Sequence, residues 1–546
     1  MKELGSLSAL IVDPHAGMRT NLHNMLNLCG VTKVDHAVSA GTAIKQLRLK
    51  TYDIILCEYD LGDGQDGQQL LEDLRHNRFI PLWTIFFMVT AERAYEKVVS
   101  AAELTPTDYL LKPFTADTLL VRLRRSVERR SIFMPVYSLM DQGDLMSAVK
   151  ECEKGEAESP HCAYEFMRLR AELCMTLGRP EDAQPIYEKI HAEKKAAWAR
   201  LGLAKTLFMQ ERFGEAEEML NALIQENSKF LDAYDWLAKT QEAIGKLDEA
   251  KAVLESAVNI SPHTMHRLRK LGEVALETGD VGTAERSFQQ VVSKAKYSEF
   301  RDPEDHVRLV QSLVAKGDTE QAAKVIRDMD KSLALLKKTP MCRAFSSAMV
   351  HEATGNTELA MQHLSEAVEA CRESTGLSND MKMALAKRCL ENDLEEGASE
   401  VMLDVMNNAA DQKVVAKATK LLEEAGKRDL ADAIAKESRR QVIELVGAGA
   451  EKARQGDYQG AVELMTKAAS QMPENPQVVF NAAVAVLKYL ENLGWDSRLG
   501  EQGKLYIENA RRLDPANPRL VPLGELYLAI LKKYRILPSK AGRVTG

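Results

Sequence analysis

Residues 213–220 have the sequence FGEAEEML, and closely similar runs follow as LDEAKAVL at 247–254 and VGTAERSF at 281–288. Each run begins 34 residues after the previous one, so Ala216, Ala250 and Ala284 occupy equivalent positions. A fixed interval of this length is typical of helical repeats, in which each unit packs only against its neighbours. The central part of the chain is therefore predicted to be an array of helix pairs.

The residues around these runs support the same interpretation. Small residues recur twelve positions earlier, at Ala204, Ala238 and Gly272, and Gly245 and Gly279 stand where each pair of helices must turn. These positions resemble the consensus of tetratricopeptide repeats. Weaker copies extend the pattern in both directions, around Ala183, Ala322, Ala360 and Ala461. We therefore expect residues 129–546 to form an all-α tetratricopeptide-like superhelix.

The resemblance implies a function in protein binding, because a stacked array of helix pairs has a concave face that holds a peptide or helix of another protein. Polar residues on the first helix of each pair are the candidates for that contact. A solvated surface position is the alternative for each of them. The candidates are Arg200, Lys205, Tyr234, Lys239, Lys270 and Glu273.

The first 128 residues follow a different pattern, in which short apolar runs alternate with amphipathic helical stretches. The runs are SALIV (8–12), YDIILCE (52–58), TIFFMVTA (84–91) and DYLLKPF (108–114). Continuous apolar runs indicate strands buried on both faces, hence a doubly wound parallel sheet. Asp13, Glu58, Thr90 and Lys112 fall at the carboxyl ends of the strands, where such a sheet places its working site.

Residues 7–128 are similar to the receiver domains of response regulators, which have a flavodoxin-like fold. The resemblance rests on IVDPHAGMR (11–19), DGQQLLEDLR (66–75), VTAE (89–92) and YLLKPF (109–114). It implies a domain at 1–128 in which a strand-end aspartate accepts a phosphoryl group and acidic residues hold Mg²⁺. It also implies that Thr90 and Lys112 contact the phosphoryl oxygens and that Tyr109 is the aromatic switch residue.

Two positions depart from the receiver pattern. Glu58 stands at the position of the acceptor aspartate, and Pro14 replaces the second acidic residue, so Mg²⁺ would have Asp13 as its remaining acidic ligand of that pair. We expect an atypical receiver, biased toward an active-like state without phosphorylation. Two alternatives stay open: Glu58 and Lys112 form a supporting ion pair, or Asp60 is a relocated acceptor in the acidic loop that also carries Asp63 and Asp66.

Composition narrows the function classes further. Hydrophobic residues make up 45% of the chain and charged residues 28%, and the net charge is −8, which gives no reason to expect nucleic acid as a partner. No apolar run is long enough to span a bilayer, and the eight scattered cysteines suit a reducing compartment. We expect a cytoplasmic protein without an enzymatic site or any cofactor beyond the doubtful Mg²⁺.

Together these features predict a bacterial two-component adaptor of the phosphorelay type, whose receiver controls protein binding by the repeats. The alternative is a constitutive assembly scaffold that uses a vestigial receiver for docking or dimerisation. A sensor kinase is a further partner that the resemblance implies. Dimerisation through the receiver also stays open, because Arg122, Arg129 and Arg130 could pair with acidic residues of a second copy, although cations near a helix end are the simpler interpretation.

Overall fold

In this computed structural model the chain is described over residues 4–62, 66–76, 79–91, 106–262, 264–296, 301–374 and 376–536. These residues form two compact units. The first is built from the described residues up to Asp141 and from Ser147 to Leu333, and the second from Gln142–Met146 and the residues from Ala334 onward.

The N-terminal part of the first unit contains a five-stranded parallel sheet. Its strands are β1 (Ser8–Val12), β2 (Lys33–Ala37), β3 (Ile54–Glu58), β4 (Ile85–Ala91) and β5 (Asp108–Lys112), in the order β2-β1-β3-β4-β5. Val12 pairs with Cys57, and Glu58 pairs with Val89. The chain order thus reverses between β1 and β3, which creates a crevice at the carboxyl ends of these two strands.

Helices cover both faces of this sheet. Alternate strand residues such as Ile55 and Phe86 pack against α2 (Ala40–Leu49) and α3 (Gly67–His76), whereas Leu56 and Phe87 pack against α1 (Ala16–Leu28) and the first half of α4 (Ala116–Asp141). Burial on both faces explains why the strands are continuous apolar runs. The doubly wound domain predicted from the sequence is confirmed.

Helix α4 connects the receiver-like domain to the helical part of the chain. It runs without interruption from Ala116 to Asp141. Leu119 and Leu123 contact the sheet, while the Phe133 ring lies 4.3 Å from the Phe166 ring, measured between centroids. The boundary predicted at 128/129 thus lies inside one helix, and it stays a prediction.

The rest of the first unit is helical. After α4 come α5 (Leu145–Glu158), a short 3-10 turn (Pro160–Cys162), α6 (Ala163–Thr176), α7 (Pro180–Lys194), α8 (Ala197–Met209), α9 (Phe213–Glu226), α10 (Leu231–Ala243), α11 (Leu247–Ile260), α12 (Met265–Glu277), α13 (Val281–Ala295), α14 (Pro303–Lys316) and α15 (Thr319–Leu333). From α6 onward, each helix packs against the next along the chain, and the first helices α6, α8 and α10 of successive pairs also contact one another. The first helices therefore line the inner side of this array.

Small residues allow the close helix packing that the repeat pattern predicts. Ala216, Ala250 and Ala284 have no exposed surface. At Gly272 an added Cβ would lie 2.7 Å from the ring of Phe288, so no larger side chain fits without displacing that ring. Gly245 ends its turn in the left-handed region, with φ of 81°.

The second unit continues the helical pattern. Its helices are α16 (Thr339–Ala353), α17 (Thr357–Glu373), α18 (Asn379–Glu391), α19 (Glu395–Asn407), α20 (Gln412–Glu424), α21 (Arg428–Arg454), α22 (Tyr458–Gln471), α23 (Pro476–Asn492), α24 (Ser497–Leu513) and α25 (Leu520–Lys533). Its core is centred on α23, where Val478, Val486 and Leu490 are fully buried. The all-helical architecture predicted for the second part of the chain is confirmed.

Two sequence-wide features complete the fold. All eight cysteines are free thiols, and only Cys162 is more than slightly accessible. Among the described helices, none combines the length and the apolar character that crossing a membrane requires.

Candidate functional site

The crevice of the parallel sheet brings together residues that are far apart in the chain. Asp13 directly follows β1, Glu58 is the last residue of β3, Thr90 lies near the end of β4, and Lys112 ends β5. Because all five strands are parallel, their carboxyl ends share one edge of the sheet. The structure thus places the four strand-end residues at that common edge.

An ion pair occupies the centre of this crevice. The Nζ of Lys112 is in direct contact with Oε2 of Glu58, and it lies 3.9 Å from Oδ2 of Asp13. The side chains of Asp13 and Glu58 are 0% and 10% exposed, and that of Lys112 is 25% exposed. The lysine therefore already has a buried anionic partner in the absence of any phosphoryl group.

Backbone amides hold both carboxylates in place. The amide of Tyr59 donates to Oε1 of Glu58 at 2.9 Å, and the amide of His15 donates to Oδ1 of Asp13 at 2.7 Å. With Lys112 on its second oxygen, the Glu58 carboxylate is held on both oxygens. Such charge-assisted hydrogen bonds restrict the orientation of a carboxylate more than neutral ones do.

Thr90 and Tyr109 lie on the strands that flank Lys112. Thr90 is 1% exposed and is in register with Leu111 of β5. The half-buried ring of Tyr109 packs, with that of Tyr59, against the apolar cluster between the sheet and helices α2 and α3. The predicted roles of both residues in switching stay predictions, while their placement beside the crevice follows from the strand register.

The negative charges of the crevice act on the groups around them. Burial, followed by the charges of Glu58, Asp66 and Asp13, holds the pKa of the Cys57 thiol well above its usual value. Burial and the neighbouring carboxylates raise the pKa of Tyr59 to about 12. Both groups are therefore neutral at physiological pH, and Cys57 is not a reactive thiolate.

The donor set of the crevice does not fit Mg²⁺ well. Oδ2 of Asp13 is buried and accepts no hydrogen bond within the described part of the chain, so one hard oxygen ligand is available. Pro14 supplies no carboxylate, and both oxygens of Glu58 are engaged by Tyr59 and Lys112. The ranges that the structure describes contain no cluster of three or more metal-ligating side chains. Since Mg²⁺ requires several well-placed oxygens, this crevice is not a resident magnesium site.

The acidic loop after β3 is only partly described. Asp60 is exposed, and its Oδ1 accepts a hydrogen bond of 3.0 Å from the amide of Gly62, as in a solvated acidic turn. Asp66 caps α3, because its Oδ1 accepts the amide of Gln69 at 2.8 Å. Asp63 lies outside the described residues.

The predicted groove residues have different environments on the first helices of the repeats. Lys205 and Lys239 place their ammonium groups 5.1 and 4.4 Å from the ring centre of Trp236. Burial lowers the pKa of Lys205, against the raising effect of Asp232 and Glu172. The two lysines and Trp236 thus form a cation–aromatic cluster. The tryptophan escaped the sequence analysis because an aromatic residue at helical spacing is more often part of a core.

The other groove candidates are held by partners on neighbouring helices. Arg200 pairs with Glu226 at 2.7 Å, and Lys270 lies 2.9 Å from Glu242 and 3.7 Å from Glu273. The expectation that Tyr234 belongs to a binding surface is wrong. It is 7% exposed because it begins its helix pair in the core, where its hydroxyl donates to the carbonyl of Ser228 at 3.1 Å.

The arginines at the end of the receiver are also satisfied within the chain. Arg122 pairs with Asp108 at 2.7 Å, Arg130 with Asp53 at 3.1 Å and Arg129 with Glu165 at 3.1 Å. A second copy of the chain is therefore not needed to neutralise them.

Comparison with known proteins identifies both parts of the chain. The response regulator receiver domain matches residues 9–124, and the tetratricopeptide repeat matches residues 175–239 and 207–272. The chemotaxis protein CheY-3 of Vibrio cholerae is 30% identical over 124 residues, which cover 23% of this chain and 94% of that protein. The chemotaxis protein CheY of Pseudomonas aeruginosa is 29% identical over 123 residues, covering 22% and 98%.

A solved tetratricopeptide repeat protein from Parabacteroides merdae is 13% identical and has a TM-score of 0.32, covering 49% of this chain and 97% of that one. The match to the receiver domain spans the sheet and the crevice described above, and the repeat match spans helices α7 to α12. The chain belongs to the response-regulator receiver family through its N-terminal domain, which is joined here to an array of tetratricopeptide repeats.

Proposed function

We propose that this protein is a signalling adaptor in which an atypical receiver controls how the repeat array binds a protein partner. The observation that carries the proposal is the ion pair between Glu58 and Lys112, with Asp13 behind it. In the receiver family a phosphorylated aspartate presents negative charge to this lysine. Here Glu58, whose carboxylate stands one methylene further out, presents that charge permanently.

The burial of the pair supports a persistent state. Removing Glu58 would leave a lysine of 25% exposure without its direct partner, which costs several times more than losing a surface ion pair. The receiver is thus held in one arrangement without phosphate. Loss of the pair, by substitution or by competition from a bound anion, is the change that would release it.

The phosphoacceptor chemistry is tested by intact-protein mass after incubation with acetyl phosphate and Mg²⁺. In such a transfer a carboxylate oxygen attacks phosphorus and acetate leaves, producing an acyl phosphate. We expect no phosphoryl adduct on the wild type and an adduct on Glu58→Asp, for which a sensor kinase would be the cellular donor. The double variant Glu58→Asp/Asp60→Asn is the control, and it should keep the adduct.

An adduct on the wild type that disappears in Asp60→Asn would contradict the proposal, because it would locate a working acceptor in the exposed turn. The same outcome would favour a regulator that is switched by phosphorylation in the ordinary way.

A constitutive scaffold is the second candidate, and the observation that favours it is the pairing of Pro14 with a fully engaged Glu58. The two candidates differ in one measurement, which is quantitative cross-linking of cellular partners to the full chain. Under the adaptor proposal, Glu58→Gln changes the amount of captured partner, and Lys205→Glu/Lys239→Glu abolishes capture. Under the scaffold proposal, capture is unaffected by Glu58→Gln, and the receiver acts only in docking or dimerisation, which sedimentation at increasing concentration would reveal.

A further inference from the structure

Helix α3 of the receiver is covered on the side that faces away from its own sheet. Leu70, Leu71 and Leu74 point into the receiver core and have no exposed surface. The polar residues on the opposite side would be solvated in an isolated domain, yet no residue from Asp66 to Arg75 is exposed. Helix α1, by contrast, exposes its polar side, including Thr20, Asn21 and Asn24.

The cover comes from the repeat array of the same compact unit. Glu72 interacts electrostatically with His266 and Arg267 of helix α12. Asp73 interacts with Arg269 of the same helix, and Asp66 interacts with Lys294 at the end of α13. In these pairs the receiver supplies the carboxylate and the repeats supply the cation. The two surfaces are therefore complementary in charge as well as buried.

The repeat side of this contact is part of the inner face of the array. His266, Arg269 and Glu273 are spaced by three and four residues, so they share one face of α12. Their equivalents 34 residues earlier are Asp232, Asp235 and Lys239 on α10, and Lys239 belongs to the cation–aromatic cluster around Trp236. The receiver thus lies on the same inner face that carries the predicted groove residues, one repeat further along.

The basic side chains of α12 are fixed by partners of their own. Arg267 is 0% exposed and makes two hydrogen bonds to Asp235, at 2.8 and 2.6 Å. Arg269 makes two to Asp305, at 2.7 and 2.8 Å. Side chains held in this way present their charge in a defined position, which lowers the entropic cost of receiving an acidic helix.

We propose that receiver helix α3 is a built-in occupant of the inner face of the repeats at α12, and that a protein partner presenting an acidic amphipathic helix competes with it for this surface. The proposal deepens, and rests on, the proposed function of partner binding by the repeats. It gives the receiver a direct route to control: α3 begins eight residues after Glu58 is expected to act, and its first residue, Gly67, donates its amide to the carbonyl of Tyr59 at 2.7 Å.

The contact is tested by hydrogen exchange on the full chain. In Lys294→Gln the change lies in α13, so a merely local effect would leave the receiver untouched. We expect faster exchange in residues 67–76 in this variant, and faster exchange in both 67–76 and 265–277 in Glu72→Lys/Asp73→Lys. Strands 54–58 and 85–91 report in the same experiment that the receiver is still folded.

Lys324→Gln is the matched control, because Lys324 pairs with Glu320 within its own helix at 2.7 Å. It should leave the exchange of α3 unchanged. Unchanged exchange of residues 67–76 in Lys294→Gln, together with unchanged exchange of 265–277 in Glu72→Lys/Asp73→Lys, would overturn the proposal.

Competition is tested with a labelled peptide of residues 66–76, DGQQLLEDLRH, as the acidic probe. It should bind Glu72→Lys/Asp73→Lys about tenfold more tightly than the wild type, since a surface that is open only a tenth of the time binds tenfold more weakly. Equal affinity for the two chains, or no binding to either, would overturn competition. Neither test depends on Glu58, so a failure here is distinct from a failure of the receiver chemistry.

Discussion

Glu211 occupies a backbone position that the neighbouring repeats give to glycine. Its φ is 61°, and the equivalent residues 34 and 68 positions later, Gly245 and Gly279, have φ of 81° and 77°. The hydrogen bonds also match, because Glu211 donates to the carbonyl of Phe208 as Gly245 does to that of Glu242, both at 3.0 Å. Glu211 therefore adopts the left-handed conformation without the freedom that glycine has there.

Glu211→Gly should raise the free energy of unfolding by about 1 kcal/mol, because it removes the clash between Cβ and the backbone. The side chain of Glu211 is exposed, so little packing is lost. Urea unfolding followed by far-ultraviolet circular dichroism measures the change. Gly245→Ala is the reverse control and should lower the stability by a similar amount. A lower stability for Glu211→Gly would mean that the glutamate side chain contributes more than the backbone costs.

At the scale of elements, the contact between α3 and α12 contains a histidine that titrates near neutral pH. Burial lowers the pKa of His266, but the hydrogen bond and charge of Asp235 and the charge of Glu72 raise it by more, so the net shift is upward. A raised pKa in the folded state gives stabilisation that is complete below the unfolded pKa of about 6.5 and is lost as pH rises through the folded value. The charged groups around the ring are Asp232, Asp235, Glu72, Arg267 and Arg269.

We therefore expect α3 to be better protected from hydrogen exchange at pH 6 than at pH 8, after correction for the intrinsic exchange rate. The effect should be small, because the ring is 57% exposed and solvent screens its charge. In His266→Gln the protection of residues 67–76 should lose this pH dependence. The same dependence in wild type and variant would show that another group controls the contact.

The elements themselves could largely be predicted from the sequence, since periodicity and turn residues are local signals. The interval between Ala216, Ala250 and Ala284 located the repeats, and the apolar runs that include 8–12 and 52–58 located strands. Asp13, Glu58 and Lys112 could be grouped because parallel strands share an edge. The direct pairing of Glu58 with Lys112 was one of two interpretations that the sequence left open.

Other features depend on distant contacts and carry no local signal. The burial of Tyr234 depends on how one helix pair stacks on the previous one. The cover over α3 joins residues about 200 positions apart, and its acidic residues look like an ordinary solvated helix face in the sequence. The sequence also places the domain boundary at a change of pattern, whereas α4 continues across it from Ala116 to Asp141.

At the scale of the whole molecule, the repeat architecture determines how far a local change spreads. Each helix of the first unit packs mainly against its neighbours in the chain, so stability is close to a sum of neighbour terms. The core of the second unit, around Val478 and Leu490, is a separate cluster. A change in one repeat should therefore loosen the adjacent helices and leave that cluster unaffected.

Ala284→Leu tests this locality, because Ala284 is 0% exposed and overpacking such a site costs about 1–3 kcal/mol. Hydrogen exchange should become faster in residues 247–260, 265–277 and 281–295 and stay unchanged in 476–492. Ala243→Leu makes the same substitution at an exposed position and should change neither. Since α12 carries the contact with the receiver, the overpacked variant should also expose residues 67–76, linking packing inside one repeat to the state of a helix about 200 residues earlier in the chain. Faster exchange in 476–492 would show instead that the two units unfold as one cooperative body.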